Sequence, residues 1–173
     1  GEVTLGSSIE YADKVDIVIT KPVTLDLNGF TVTETYAEIN HFMMVIRDGG
    51  SLTLKNSSPE QTGALIAQDA SYGYGIQLFS DSSFIMESGS IQTTQESIDI
   101  YTITENVSIA IKGGSITSSA DSVLGIRGDE NIKVDITGGK MRSEGFFGAF
   151  VAGGAQDAIS ICMMGGTYEK VGF

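Results

Sequence analysis

The sequence predicts an all-β chain: a single-stranded, right-handed parallel β-helix of about six coils of 25 to 27 residues. Three observations predict it. A Gly-pair motif recurs at a near-constant period along the 173 residues. The segments before each Gly pair are apolar at every second residue, the signature of a half-buried strand. The composition favours β-branched residues, with 20 Ile, 11 Val and 15 Thr against 8 Leu and 11 Ala. Branched side chains pack on pleated strands and are stiff in helices, which disfavours a helical bundle.

The repeat reads apolar–x–apolar–x–Gly–Gly–x–apolar–x. It is clearest in Ile109-Ala110-Ile111-Lys112-Gly113-Gly114-Ser115-Ile116-Thr117, in Val134 to Arg142 and in Ile161 to Glu169. Phe84 to Gln92 and Leu25 to Thr33 each keep one Gly, and Leu52-Thr53-Leu54-Lys55-Asn56 begins the same way. The apolar anchors are Leu27, Leu54, Met86, Ile111, Ile136 and Met163, spaced 27, 32, 25, 25 and 27 residues apart. A period near 25 also suits a leucine-rich repeat, but that fold needs Leu at fixed positions and eight cannot supply six units.

Each unit is expected to hold three short strands. The first is the alternating strand, with an inward ladder Leu25, Leu52, Phe84, Ile109, Val134, Ile161 and the anchors as a second ladder. The second follows the Gly pair, as in Thr31-Val32-Thr33, Ser115-Ile116-Thr117 and Lys140-Met141-Arg142. The third precedes the next unit: Met44-Val45-Ile46, Ile76-Gln77-Leu78, Leu124-Gly125-Ile126 and Phe150-Val151, with Val15 to Ile19 in a partial first coil. Three strands and three turns make one coil, and parallel crossovers are right-handed. The Gly pair makes a corner that needs φ > 0 or a close approach to the next coil. Asn28 and Asn56 fit the same corner, because Asn tolerates that backbone.

Thr24-Leu25-Asp26-Leu27-Asn28-Gly29, followed by the iterated Gly-Gly corners, resembles secreted bacterial right-handed β-helix proteins of the pectate-lyase-like superfold. The resemblance covers about Val15 to Glu169. It implies an extracellular or cell-surface repeat module, adhesin-like in kind. In the superfold's lyases it would imply several acids for Ca²⁺ and a basic residue on one groove. Asp26 and Asp135 lie too many coils apart to share an ion, so no lyase motif carries over.

The whole chain is expected to be one domain, 1–173. Residues 1–14 are expected to cap it, with Val3 and Leu5 in a short strand and Ser8 to Asp13 in a helical turn. The chain starts at Gly1, as a mature or trimmed chain would. The last coil is expected to be incomplete after Thr167-Tyr168-Glu169. An unpaired coil edge then calls for further domains, or for an end-to-end or side-by-side homodimer.

The formal net charge is −12, from 10 Lys and Arg against 22 Asp and Glu. That argues against nucleic acid and anionic membranes, which need clustered cations. The longest weakly polar run, Gly145 to Ala155, is too short to insert in a bilayer. Cys162 and His41 cannot complete a Cys/His metal site. His41 is expected on the surface, and Cys162 outward on a first strand. Arg47 and Arg127 are expected to pair with turn acids.

Two sets of residues are candidates for function. Stacked turns between third and first strands would align Asp48, Asp81, Glu105, Asp129, Glu130 and Asp157 into an acidic ridge. Such a ridge reads as a solvated edge, a weak Ca²⁺ site or, through Glu105 with Asp129 or Glu130, an acid pair for hydrolysis. Tyr72, Tyr74, Phe79, Phe146, Phe147 and Phe150 form the second set, because exposed rings stack on sugars. Glycans of host or microbial origin and surface proteins are the expected partners. The functional expectation is a non-catalytic spacer, adhesin or ligand-binding rod. The alternative is a carbohydrate-binding or carbohydrate-active protein of the polysaccharide lyase or hydrolase kind.

Overall fold

A computed structural model shows a parallel β-solenoid without helices among the described residues, 1–36, 38–60, 62–69, 71–101, 104–145, 150–152 and 158–170. The first coil is β1 (Glu2–Thr4), β2 (Ile9–Tyr11) and β3 (Ile17–Ile19). The second is β4 (Pro22–Asp26), β5 (Thr31–Glu34) and β6 (Phe42–Ile46). The third is β7 (Ser51–Lys55), β8 (Ala64–Ala67) and β9 (Tyr74–Leu78). The fourth is β10 (Ser82–Met86), β11 (Ser90–Thr93) and β12 (Ile98–Ile100). The fifth is β13 (Glu105–Ile111), β14 (Ser115–Ser118) and β15 (Leu124–Ile126). The sixth is β16 (Glu130–Ile136), β17 (Lys140–Ser143) and β18 (Phe150–Ala152), and β19 (Ile159–Met163) and β20 (Thr167–Lys170) follow.

Equivalent strands pair in parallel into three sheets of seven, seven and six strands. Each carries at least one ladder of apolar side chains into the core. In the first sheet Leu52, Phe84, Ile109, Val134 and Ile161 are successive register partners. Ile91, Ile116 and Met141 do the same in the second, and Ile76, Ile98 and Leu124 in the third. All of these except Ile161 are buried.

The first sheet corrects one register. Val23, not Leu25, pairs with Leu52, and Leu25 pairs with Leu54. The two-residue shift keeps every side chain on its expected face, since strands alternate with period two. Leu27 stays fully buried at the corner, with its amide on the Lys55 carbonyl at 2.9 Å. The corner between β4 and β5 takes up the two residues, and there the Ser57 amide donates to Asp26 Oδ1 at 2.9 Å.

The Gly pairs serve two separate purposes. Gly139 takes φ 87°, which a side chain disfavours. Gly138 has no such φ, but a Cβ there would collide with the Lys112 carbonyl of the coil below. Asn28 turns its corner at φ 46° as expected. Asn56 does not turn: it is buried, and its Oδ1 accepts the Gly29 amide at 2.7 Å.

Residues 8–13 hold no helical turn. Ile9–Tyr11 pairs with β5, because Ile9 continues the ladder of Val32 and Leu65. The first coil leaves Val3 and Ile9 exposed beside an apolar cavity of about 480 Å³. At the other end Ile161, Met163 and Met164 are exposed.

Candidate functional site

The hydroxyl ladder at the ends of the second strands builds the site. Thr93, Ser118 and Ser143 are register partners and fully buried. A buried hydroxyl needs a partner; Thr93 finds a carbonyl in the turn that follows its strand, and Ser118 and Ser143 find theirs in the turn of the preceding coil. Thr93 and Ser118 donate to the Gln95 carbonyl at 2.7 and 2.8 Å, and Ser143 donates to the Asp121 carbonyl at 2.8 Å. These bonds fix the turns that carry Glu96 and Asp121.

The third sheet supplies the floor. Ile98 and Ile100 of β12 face the core, so Asp99 between them faces outward. Asp99 is nonetheless 2% exposed, because Gln77 of β9 and Arg127 after β15 cover it. Gln77 Nε2 donates to Asp99 Oδ2 at 3.0 Å. One Arg127 amino group donates to both Asp99 Oδ1 and Glu96 Oε1, the latter at 3.0 Å. Burial alone would lower the Arg127 pKa, but these two carboxylates raise it. Glu96 is pushed up by its burial and by the Asp121 charge, more than Arg127 pulls it down.

Aromatic rings complete the walls. Phe42 and Tyr74 are register partners with centroids 4.9 Å apart. Phe79 and Tyr101 each follow a third strand and stack at 5.1 Å. Tyr101 keeps 44% of its surface exposed, so the pair is open to solvent. With Asn40, these groups line an open cavity of about 490 Å³: Phe42, Tyr74, Gln77, Glu96, Asp99, Tyr101, Asp121 and Arg127. The size suits a small ligand.

Of the aromatic candidates, Tyr74 lines this groove and Phe79 supports Tyr101 from behind. Tyr72 is exposed two residues before Tyr74. Phe150 instead packs on the core and on Tyr168, with centroids 5.5 Å apart. Phe146 and Phe147 lie outside the described residues.

The acidic candidates do not form one ridge. Asp48 and Asp81 take φ 54° and 56°, and they align with Asn106 and Asn131 at φ 57° and 51°. Asn131 Nδ2 donates to Asn106 Oδ1 at 2.8 Å, and Asn106 Nδ2 to Asp81 Oδ1 at 3.0 Å. The corner selects side chains that tolerate a left-handed backbone, and an amide serves as well as an acid. Glu105 and Glu130 pair with each other instead, both exposed, beside Asp129. Asp157 lies outside the described residues. Among the described residues, no group of three acids, His or Cys is placed to hold a metal ion.

Two of the four single residues with an expected place, Arg127 and His41, depart from it. Arg47 meets its turn acid Asp48, but Arg127 goes to Asp99 and Glu96. Cys162 is exposed as expected. His41 is buried, not superficial. Glu34 ends β5 at the inward position that Thr93 holds two coils on, so its carboxylate needs a partner. The loop folds His41 over it, with Nε2 at 2.8 Å from Glu34 Oε1 and Nδ1 at 3.5 Å from Asp16 Oδ1. Asn40 and Phe42, on either side of His41, line the groove.

Several groove residues were not among the sequence candidates: Glu96, Asp99, Tyr101, Asp121, Arg127, Gln77, Asn40 and Phe42. The strand β12 was itself missing from the expected third strands. Its signal is present in Ile98-Asp99-Ile100, an acid between two core residues.

Fold and groove together define a parallel β-solenoid with a polar, ring-walled cleft on one sheet. Comparison with known proteins finds no matching family model, no matching curated protein and no matching solved structure.

Proposed function

We propose that this protein is a non-catalytic β-helix rod, working outside the cell, that binds saccharide in the groove of the third sheet. The observation that carries the reading is the open Tyr101 ring, backed by Phe79 and set beside the fixed Gln77–Asp99–Arg127 network. A sugar ring offers an apolar face for stacking and hydroxyls for such polar groups. A preformed network loses little freedom on binding. Arg127 grips both Glu96 and Asp99, which favours recognition over proton transfer.

Titration calorimetry against a panel of oligosaccharides tests this. Tyr101→Ala should weaken the best ligand about tenfold, the loss of one ring contact of roughly 1.4 kcal/mol. Unchanged affinity would remove the groove reading. Hydrolysis is the second reading, favoured by one observation: Glu96 is held toward its protonated form beside Asp121, as a general acid would be. Release of reducing ends from the same panel, abolished by Glu96→Gln, would establish it.

A further inference from the structure

The acidic and basic side chains that line the groove are Glu96, Asp99, Asp121 and Arg127: three carboxyl groups against one guanidinium. Arg127 is already committed to two of the three carboxylates. Both oxygens of Asp99 are occupied, one by Arg127 and one by Gln77. Negative charge is therefore in surplus in a recess whose polar groups are partly withdrawn from water. A cation brought into such a recess gains more than it would at an open surface. An anion meets repulsion there and no free basic group.

The charge alone does not define a site; the cavity and its two ring pairs do. They are also what sets the shape of the cation. The cavity of about 490 Å³ exceeds a bare ion, and no metal-holding group of three lies among the described residues. A ring that carries its charge on a substituent satisfies both the stacking walls and the acidic floor.

We propose that the groove selects saccharides bearing a free ammonium group, of the hexosamine type, over N-acetylated and uronic-acid sugars. This rests on the saccharide reading above. Stacking on Tyr101 is common to all these sugars, so the selectivity resides in Asp121, the lining carboxylate that Arg127 does not engage, with Glu96 beside it. A free amine keeps its charge and three donors, whereas acetylation removes the charge and adds bulk. A uronate carboxylate would face the same acids with its own charge.

The test is calorimetry of the whole chain with three probes of equal length: glucosamine, N-acetylglucosamine and galacturonate oligomers. Glucosamine oligomers should bind at least about tenfold more tightly than N-acetylglucosamine oligomers. Galacturonate should not bind. The preference should shrink in high salt, as a charge interaction does. It should vanish in a Glu96→Gln, Asp121→Asn double variant with an unchanged melting temperature. Equal or tighter binding of N-acetylated or galacturonate oligomers by the unaltered protein overturns the charge selection and leaves the saccharide reading standing. So does a folded double variant that keeps the preference. No binding by any of the three overturns both. The comparison among probes uses the unaltered chain, so it survives a variant that fails to fold.

Discussion

Single residues hold the corners of this solenoid, and two of them give direct predictions. Gly139 needs its left-handed backbone and has the Gly113 carbonyl oxygen 3.1 Å from where a Cβ would sit. Gly139→Val should lower unfolding free energy by about 2 kcal/mol or more in urea titration, since a branched side chain there is strained. Gly139→Asn should cost visibly less, because Asn28, Asn106 and Asn131 already adopt that backbone. Asp26 is the second case. Burial tends to raise its pKa, but the amides of Ser57 and Asn28 and the Lys55 charge outweigh burial and lower it. A depressed folded pKa means the ionised form is stabilised by folding. The contribution is present above the unfolded carboxylate value of about 3.9 and is lost as pH falls through the lower folded value. Asp26→Asn should therefore destabilise at neutral pH and flatten the acid limb of a stability–pH curve. A variant curve parallel to that of the unaltered protein would contradict this.

At the scale of elements, the loop between β5 and β6 is tied down by one buried pair. His41→Ala leaves Glu34 buried without its partner, which should cost about 3 kcal/mol in chemical unfolding. Glu34→Gln added to His41→Ala should recover part of that loss. The same loop explains what was legible in the sequence and what was not. Strands β13 and β16 announce themselves, because Ile109, Ile111, Val134 and Ile136 alternate with small or polar residues. The short third strands are weaker signals. Ile98-Asp99-Ile100 has three residues and an acid at its centre, and only its register with Gln77 and Gly125 reveals it as a floor. Of the residues that line the groove, only Tyr74 was a candidate, with Phe79 packed on Tyr101. Tyr74 stands out as an aromatic in a Gly-rich stretch, and Phe79 as one at the end of a third strand. Glu96, Asp121 and Arg127 sit in turns, where spacing does not set direction; the hydroxyl ladder that aims those turns is recognisable only once the coils are stacked. His41 illustrates the same limit, since its burial follows from Glu34 occupying an inward position seven residues earlier.

Over the whole molecule, each coil touches only its neighbours, so stability is a sum of adjacent interfaces. The central strands β10 and β13 are covered on both sides, while β1 to β3 and β19 to β20 have one bare edge. Amide hydrogen exchange should be slowest in β10 and β13 and speed up toward both ends. Uniform protection along the rod would show that it opens as one unit. Ile109→Ala, in the middle of the stack, should cost about 2 to 5 kcal/mol. Val3→Ala, half exposed at the first coil, should cost a small fraction of that.

Register partners in the middle of the rod lie 25 residues apart in the first two sheets, as Phe84, Ile109 and Val134 or Ile91, Ile116 and Met141 do. A gene gaining or losing one such unit keeps every ladder continuous and creates no new kind of contact. The groove, however, draws on four successive coils, from Asn40 in the second to Arg127 in the fifth. Duplication beyond those four lengthens the rod and leaves the groove intact, whereas duplication within them pulls its walls apart. Reach and recognition are thus separable traits in this architecture, and each can drift without disturbing the other.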